Sequence, residues 1–386
     1  MNSSVAGWLL CLTALCLWGS IGTLAKASAV QWSLFFKAYS VGVGASAMVL
    51  AVAAAPEVRA IGGHRGAAFY GIFGGLCGCG GSMCFLSSIE MVGVTLSYPV
   101  VMGIEMTLGT FLLYLLDRDA LNVGPLLGAL LCVLGAVALD ALAQLRLAAD
   151  GDGLRGAPPE EDGLLGAPAL KRGRSLGKVE FLPEGDDDEL DYVFDSDHSD
   201  DACVPIERLV DALSPTKTKN QWDDKPQGVR RGVRRAVAAG VLLSFWPAGE
   251  ALAVDAGATV PAFMVVLGLS HLLFCLILLP VRAAYLRRSG SKQPPSVGIC
   301  SAAWGYGFVA GAAWFCGAVL VFIAGEDIGV TVAVSVARCS PTVAALWGLF
   351  YWGEAEHASP RALAYIGAML CLYGAAIVLI ARSSAA

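Results

Sequence analysis

Long apolar stretches separated by short polar segments make up most of this 386-residue chain. A helix needs about 20 apolar residues to cross the hydrocarbon core of a bilayer. The stretches that reach this length lie in equal numbers on the two sides of residues 146–233. The pattern predicts an all-α integral membrane protein with ten transmembrane helices, at residues 5–25, 32–55, 66–88, 94–116, 122–145, 234–254, 258–281, 301–324, 328–352 and 361–381.

The composition agrees with this prediction. Hydrophobic residues make up 56% of the chain and charged residues 15%, which is too apolar for one water-soluble core. The 12 cysteines fall mainly in the apolar stretches, where small, reduced thiols are the expected form. The cysteines therefore indicate neither a disulfide framework nor a metal site.

One stretch of the chain occurs twice. Residues 67–95 align without a gap on residues 303–331, at a constant offset of 236, and both copies end in E-x-x-G-V-T. The first and sixth spans also match, at an offset of 228. The sequence therefore predicts two copies of one unit, residues 1–145 and residues 234–386. The glycines identical in the two longer copies are Gly71/Gly307, Gly75/Gly311, Gly81/Gly317 and Gly93/Gly329.

The number of spans in each unit determines how the units are oriented. A unit with an odd number of spans ends on the opposite side of the membrane from where it began, so the second copy enters upside down. We therefore expect a 5+5 inverted repeat, an arrangement typical of alternating-access carriers.

The central segment, residues 146–233, differs in composition from the spans. Residues 150–201 hold half of the 32 acidic residues, together with Pro and Gly, which predicts a disordered acidic loop. Its run Asp195 to Asp201 lacks the Gly and Glu of a calcium loop, and Gly173 to Val179 is one residue short of a phosphate loop. We therefore expect no metal and no cofactor there.

Positive charge near the span ends predicts the orientation. Most of it, including Arg230, Arg231, Arg234 and Arg235, lies on the side of the central loop. This places the loop in the cytosol and both termini on the other side. We expect a multi-pass protein of the plasma membrane or an endomembrane.

Ionisable groups at membrane depth are costly and usually face a cavity or a partner. Arg338 lies in the ninth span just before Pro341, which bends a helix, and its guanidinium suits a carbonyl, carboxylate or phosphate of a solute. Its repeat-equivalent is Met102, one helical turn from Glu105. If the fourth and ninth spans meet, Glu105 and Arg338 are within reach, either as part of a solute site or as an ion pair that holds the two units together.

Two further groups are candidates for proton coupling. Glu250 follows Trp246-Pro247 in the sixth span, and a buried carboxyl group can exchange a proton near neutral pH. The alternative for Glu250 is a hydrogen bond to a neighbouring helix. His271, in the seventh span, is a second candidate relay, with a hydrogen-bonded interior histidine as its alternative; Glu105 is a third candidate.

The remaining candidates are aromatic or lie near a span end. Trp18, Trp246 and Tyr98 are predicted to stack on a flat solute, although packing is the default role of aromatic residues. Lys37 lies close to the start of the second span. It is a candidate solute ligand, or it extends its ammonium group toward the interface.

Several of these stretches resemble the drug/metabolite transporter superfamily, and within it the ureide permease family. They are Gly93 to Asp117 in the fourth span, Pro341 with Leu346-Trp347-Gly348-Leu349 in the ninth, and Pro247-Ala248 in the sixth. The resemblance implies uptake or export of small polar metabolites, with ureides and nucleobases first and sugars second. Tyr98, Arg338 and Glu250 stand where the family has Glu, Gln and Asn. The polar side chains that would line a solute site therefore differ from those of the family.

These observations predict a secondary transporter that moves a small polar, ureide- or nucleobase-like solute by alternating access, with proton coupling as a hypothesis. The alternatives are a sugar or nucleotide-sugar carrier of the same superfamily, or a non-transporting membrane scaffold that acts through its acidic loop. The sequence indicates no enzyme, because a nucleophile, metal-ligand set or phosphate loop of correct spacing is missing. The expected partners are the solute, the lipid bilayer and protons, without nucleic acid; the sequence leaves the oligomeric state open.

Overall fold

The computed structural model describes residues 3–28, 32–116, 123–155, 226–288, 302–352 and 358–383. These residues form helices and no strand. A 3-10 turn covers Ile61–Gly63 and a π-helical turn covers Trp347–Tyr351. The α-helices are Ser3–Ser28, Trp32–Ala53, Ala55–Ala60, Arg65–Leu116, Val123–Arg155, Pro226–Leu243, Phe245–Asp255, Val260–Arg288, Ala302–Ile328, Val330–Ala337, Pro341–Leu346 and Pro360–Ser383.

The predicted spans are confirmed as helices. Within the described residues, 10 stretches are long and apolar enough to cross a membrane. Large apolar side chains on their outer faces, such as Val49 and Phe350, are exposed, as expected for contact with lipid. The chain therefore fits a multi-pass membrane protein. The spans are Val5–Ser28, Trp32–Ala53, Arg65–Ile89, Ser97–Leu116, Val123–Ala143, Arg230–Asp255, Val260–Ala284, Trp304–Ile328, Val330–Tyr351 and Pro360–Ser383.

The helices around the central segment run further than predicted. The fifth helix continues to Arg155, past the expected boundary at residue 145, and the helix of the sixth span begins at Pro226 instead of residue 234. A helix needs no apolar side chains once it leaves the hydrocarbon, so hydrophobicity marks the membrane boundary and not the helix end. The acidic loop predicted between these helices lies largely outside the described residues.

The third and fourth spans form a tight antiparallel pair, although Arg65–Leu116 is helical throughout. The rings of Phe85 and Tyr98 are 5.4 Å apart. In a straight helix, rising about 1.5 Å per residue, these two residues would be about 20 Å apart. The chain therefore reverses direction between them. The eighth and ninth spans are separated instead by Gly329, whose φ of 87° ends one helix before the next begins at Val330.

Two spans are interrupted near their middles. The sixth breaks at Ser244, between the helices that end at Leu243 and begin at Phe245. The ninth breaks at residues 338–340, immediately before Pro341, as the proline predicted. Both interruptions leave backbone groups without their usual helical partners inside the bundle, and such groups are tolerated where protein or a cavity satisfies them.

Glycines of the repeated stretch pack against the opposite half of the chain in a matched way. A Cβ atom on Gly71 would lie 3.6 Å from the carbonyl oxygen of Phe263, and one on Gly307 would lie 2.8 Å from that of Phe35. The offsets of the repeat, 236 and 228, convert one contact into the other. The same offsets relate the contact of Gly75 with Leu267 to the contact of Gly311 with Tyr39. The third span thus packs on the seventh as the eighth packs on the second.

Candidate functional site

A buried ion pair lies where the broken ninth span meets the fourth. The Arg338 Nη2 atom is 3.2 Å from Oε1 of Glu105, and the Arg338 Nη1 donates to the Glu105 backbone carbonyl at 2.9 Å. Both residues are at most 4% exposed. The fourth and ninth spans do meet, and the two residues predicted to be within reach in that case are in contact, so each buried charge has its partner.

Three neighbours hold this pair in place. Trp246 donates its indole N–H to Oε1 of Glu105 at 3.3 Å. Ser244, at the break of the sixth span, donates its hydroxyl to the Gly240 carbonyl at 2.7 Å and packs with the same oxygen 3.4 Å from the Glu105 carbonyl. The guanidinium lies flat against Gly109, where a Cβ atom would overlap Nη1. The two broken spans thus converge on one carboxylate of the fourth span.

A cavity of about 30 Å³ adjoins this carboxylate, which is room for about two water molecules. Glu105 lines it, whereas Arg338 lies behind Glu105 and does not. Most of the wall is aromatic or aliphatic, with hydroxyl groups from Ser82, Tyr39 and Tyr98. The lining residues are Trp18, Ile21, Tyr39, Ser82, Phe85, Leu86, Tyr98, Met102, Glu105, Leu243 and Trp314.

Hydrogen bonds fix the aromatic wall of the cavity. Tyr98 donates its hydroxyl to the backbone carbonyl of Trp18 and lies 3.3 Å from the hydroxyl of Ser340. The indole of Trp18 donates to the carbonyl of Trp314 at 3.1 Å. The rings of Trp18 and Trp246 meet edge to face at 6.1 Å. Two aromatic side chains of the wall, Trp18 and Tyr98, are therefore held by hydrogen bonds from their polar atoms to the protein backbone.

Glu250 occupies a different place from the ion pair. It is 2% exposed, and its Oε2 atom has no hydrogen-bond partner among the described residues. The charged groups close enough to act on it are Asp255 and Glu326, both exposed near the end of the bundle. Glu250 therefore lacks an ion-pair partner among the described residues, in contrast to Glu105.

The two remaining ionisable candidates differ in their surroundings. His271 is fully buried, and its Nε2 lies 3.3 Å from the hydroxyl of Ser40, while Nδ1 is without a hydrogen-bond partner in the described part of the chain. Its ring stands 5.9 Å from those of both Tyr39 and Trp314, which line the cavity. Lys37 is exposed and is not among the residues that line the cavity.

Several residues of the site were not among the sequence candidates. Ser244 and Gly109 carry no charge and no motif, and their roles come from the packing of the sixth and ninth spans against the fourth. Tyr39 and Trp314 belong to spans that showed no ionisable cluster. Pro247 and Pro341 were the available signals, because each predicts a helix break, and both breaks occur at the site.

Comparisons with known proteins inform the fold alone. The chain is similar to a protein of known crystal structure, with a TM-score of 0.53 and 15% sequence identity over 98% of this chain and 99% of the other. No family model matches the sequence, and a search of curated proteins finds no match. The likeness thus extends over nearly the whole of both chains without indicating an activity.

Proposed function

We propose that the protein is a secondary transporter that binds a small polar solute beside Glu105 and moves it by alternating access. The observation that carries the proposal is a carboxylate that lines an internal cavity at the meeting point of two interrupted helices. Discontinuous helices near the middle of a bundle are where carriers place their solutes. Ten apolar helices are compatible with this function.

The packing of the spans supports an inverted repeat. Gly71 contacts Phe263 and Gly75 contacts Leu267, so residue numbers rise together and the third and seventh spans are parallel. Consecutive spans alternate in direction across a membrane, so the eighth span runs opposite to the seventh. The third span is therefore antiparallel to its own repeat-equivalent, the eighth, which is the relation that inversion requires.

Each charge of the pair has its own role in this proposal. Glu105 faces the cavity and accepts hydrogen bonds from N–H groups of the solute. Arg338 holds the carboxylate in one orientation through their ion pair, and it is a positioning residue in this conformation. Ureide- or nucleobase-like solutes carry N–H donors of this kind and are flat enough to lie against Trp18 and Trp314. Sugars offer hydroxyl donors and are the second class.

A binding screen tests the solute site. We expect one class among nucleobases, allantoin, hexoses and nucleotide-sugars to raise the thermal midpoint of the purified protein, because a ligand at about 100 times its Kd stabilises the native state by about 2.7 kcal/mol. The same solute should leave Glu105→Gln unshifted. Replacing residues 156–225 by a flexible linker should preserve the response, whereas a scaffold acting through that loop would lose its function. Equal shifts in Glu105→Gln and the parent protein would place binding elsewhere.

Proton coupling through Glu250 makes a separate prediction. In proteoliposomes, an inward proton gradient should accelerate uptake by the parent protein, and Glu250→Gln should remove this acceleration while retaining exchange of solute across the membrane. The physical reason is that an amide cannot bind and release the proton that neutralises the buried carboxylate. Asp255→Asn is the matched control, because Asp255 is exposed and near Glu250. Unchanged gradient dependence in Glu250→Gln would reject this role.

A further inference from the structure

The cavity extends from the middle of the bundle toward one end. Leu86 is close to the end of the third span and Tyr98 is close to the start of the fourth, and both line it. The opposite end is marked by Gly7, which packs beside Asp327 near the turn at Gly329. Ile21 of the same helix lines the cavity, about 20 Å further along.

The repeat offsets assign an equivalent to each wall residue. The reciprocal glycine contacts show that these offsets hold in three dimensions as well as in sequence. The equivalents of Leu86 and Tyr98 are Phe322 and Val334, which lie on either side of the turn at Gly329. The other pairs are Trp18 with Trp246, Ser82 with Ala318, and Met102 with Arg338.

The first set lines the cavity and the second set does not. Ser82, Leu86 and Tyr98 border the cavity, whereas Ala318, Phe322 and Val334 lie outside its lining and are each 0% exposed. The rings of Trp246 and Phe322, the equivalents of Trp18 and Leu86, meet edge to face at 5.5 Å. Two halves of related sequence are thus held in two different packing arrangements.

We infer that Arg338, Trp246, Ala318, Phe322 and Val334 form a second solute-facing wall, which opens when the cavity beside Ser82, Leu86 and Tyr98 closes. This inference rests on the proposed transport function and assigns residues to the conformation that faces the other side. In an inverted repeat, the conformation that faces the other side of the membrane arises when the two halves exchange their packing arrangements.

Arg338 acquires a direct contact with the solute in this arrangement. In the described conformation it lies behind Glu105, while its equivalent Met102 lines the cavity. After the exchange, Arg338 takes the lining position and offers guanidinium donors to an acceptor group of the solute. Glu105 and Arg338 therefore contact the solute at successive stages.

Single cysteine substitutions test this assignment. Ser82 and Ala318 are equivalent positions in the two walls, where Ser82→Cys and Ala318→Cys change the side-chain volume little. Leu86→Cys and Phe322→Cys form a second pair, in which the side chain becomes smaller. Vesicles of each orientation are treated with a membrane-impermeant thiol reagent, and modification is measured at each site by peptide mass spectrometry. We expect modification of Ser82→Cys in one orientation and of Ala318→Cys in the other, both lost in the presence of the transported solute.

The control is Ala239→Cys, since Ala239 and its equivalent Cys11 are both at most 1% exposed and outside both walls. It should remain unmodified in either orientation. If Ser82→Cys is modified and uptake is normal, but Ala318→Cys and Phe322→Cys never react, the second wall is disproved while transport stands. If uptake is absent and neither wall is accessible, the proposed function fails as well.

Discussion

We expect Arg338→Met to destabilise the protein by about 3–5 kcal/mol and to abolish uptake, because it leaves the Glu105 carboxylate buried without a counter-charge. Glu105→Gln should destabilise the protein in the same way. The buried Arg338 guanidinium would then contact only uncharged oxygens, those of the backbone carbonyl and of the new amide, and would lack a negative charge. We choose methionine because Met102 is the repeat-equivalent of Arg338 and lines the cavity, so a methionine side chain is accepted at this position in the other half. The measurements are thermal unfolding in detergent and uptake into proteoliposomes.

The double variant Glu105→Gln/Arg338→Met separates stability from solute binding. Replacing both charges of a buried pair is often neutral or stabilising, so the double variant should recover thermal stability. Uptake should remain reduced by about 10- to 100-fold, because the solute has lost a charged hydrogen-bond acceptor. Recovery of both stability and full uptake would show that the pair only holds the two halves together.

The second large effect is expected at a glycine outside the site. In Gly311→Ala, the new Cβ atom would overlap the backbone carbonyl of Tyr39, and a backbone atom of a packed helix cannot move aside as a flexible side chain can. The eighth span must then shift away from the second, at a cost of about 3 kcal/mol. We expect a marked fall of the thermal midpoint and loss of uptake through misplacement of Trp314.

Gly374→Ala provides the matched control for this substitution. Gly374 lies in the last helix, and no heavy atom is within 4 Å of the position that its Cβ would occupy. Ala should therefore leave stability unchanged or raise it slightly, because Gly is about 1 kcal/mol less favourable than Ala inside a helix. Equal thermal midpoints for the two variants would contradict the close approach of the second and eighth spans.

The spans were predictable because the membrane imposes a simple physical rule. Each crossing must satisfy its backbone hydrogen bonds internally and present apolar side chains over a set length. The breaks near Pro247 and Pro341 were predictable for a similar local reason, since proline removes a backbone donor. The helix ends at Arg155 and Pro226 were not, because continued helix outside the membrane leaves no mark in hydrophobicity.

The site was predictable in its charges and not in its geometry. Glu105 and Arg338 were evident as costly groups at membrane depth, and the repeat alignment placed them within reach. That Glu105 faces the cavity while Arg338 lies behind it depends on the absence of a side chain at Gly109. The contributions of Ser244 and Tyr39 likewise depend on contacts between distant spans.

The order of residues in this chain was sufficient for the all-α architecture, the ten apolar spans and the short set of costly charges. Each of these follows from local rules of hydrophobic length, residue period and backbone chemistry. Helix packing decided which charge reaches the cavity and that Glu250 stands apart from the ion pair. Both depend on contacts between side chains that are far apart in the sequence, and local rules of hydrophobic length do not contain such contacts.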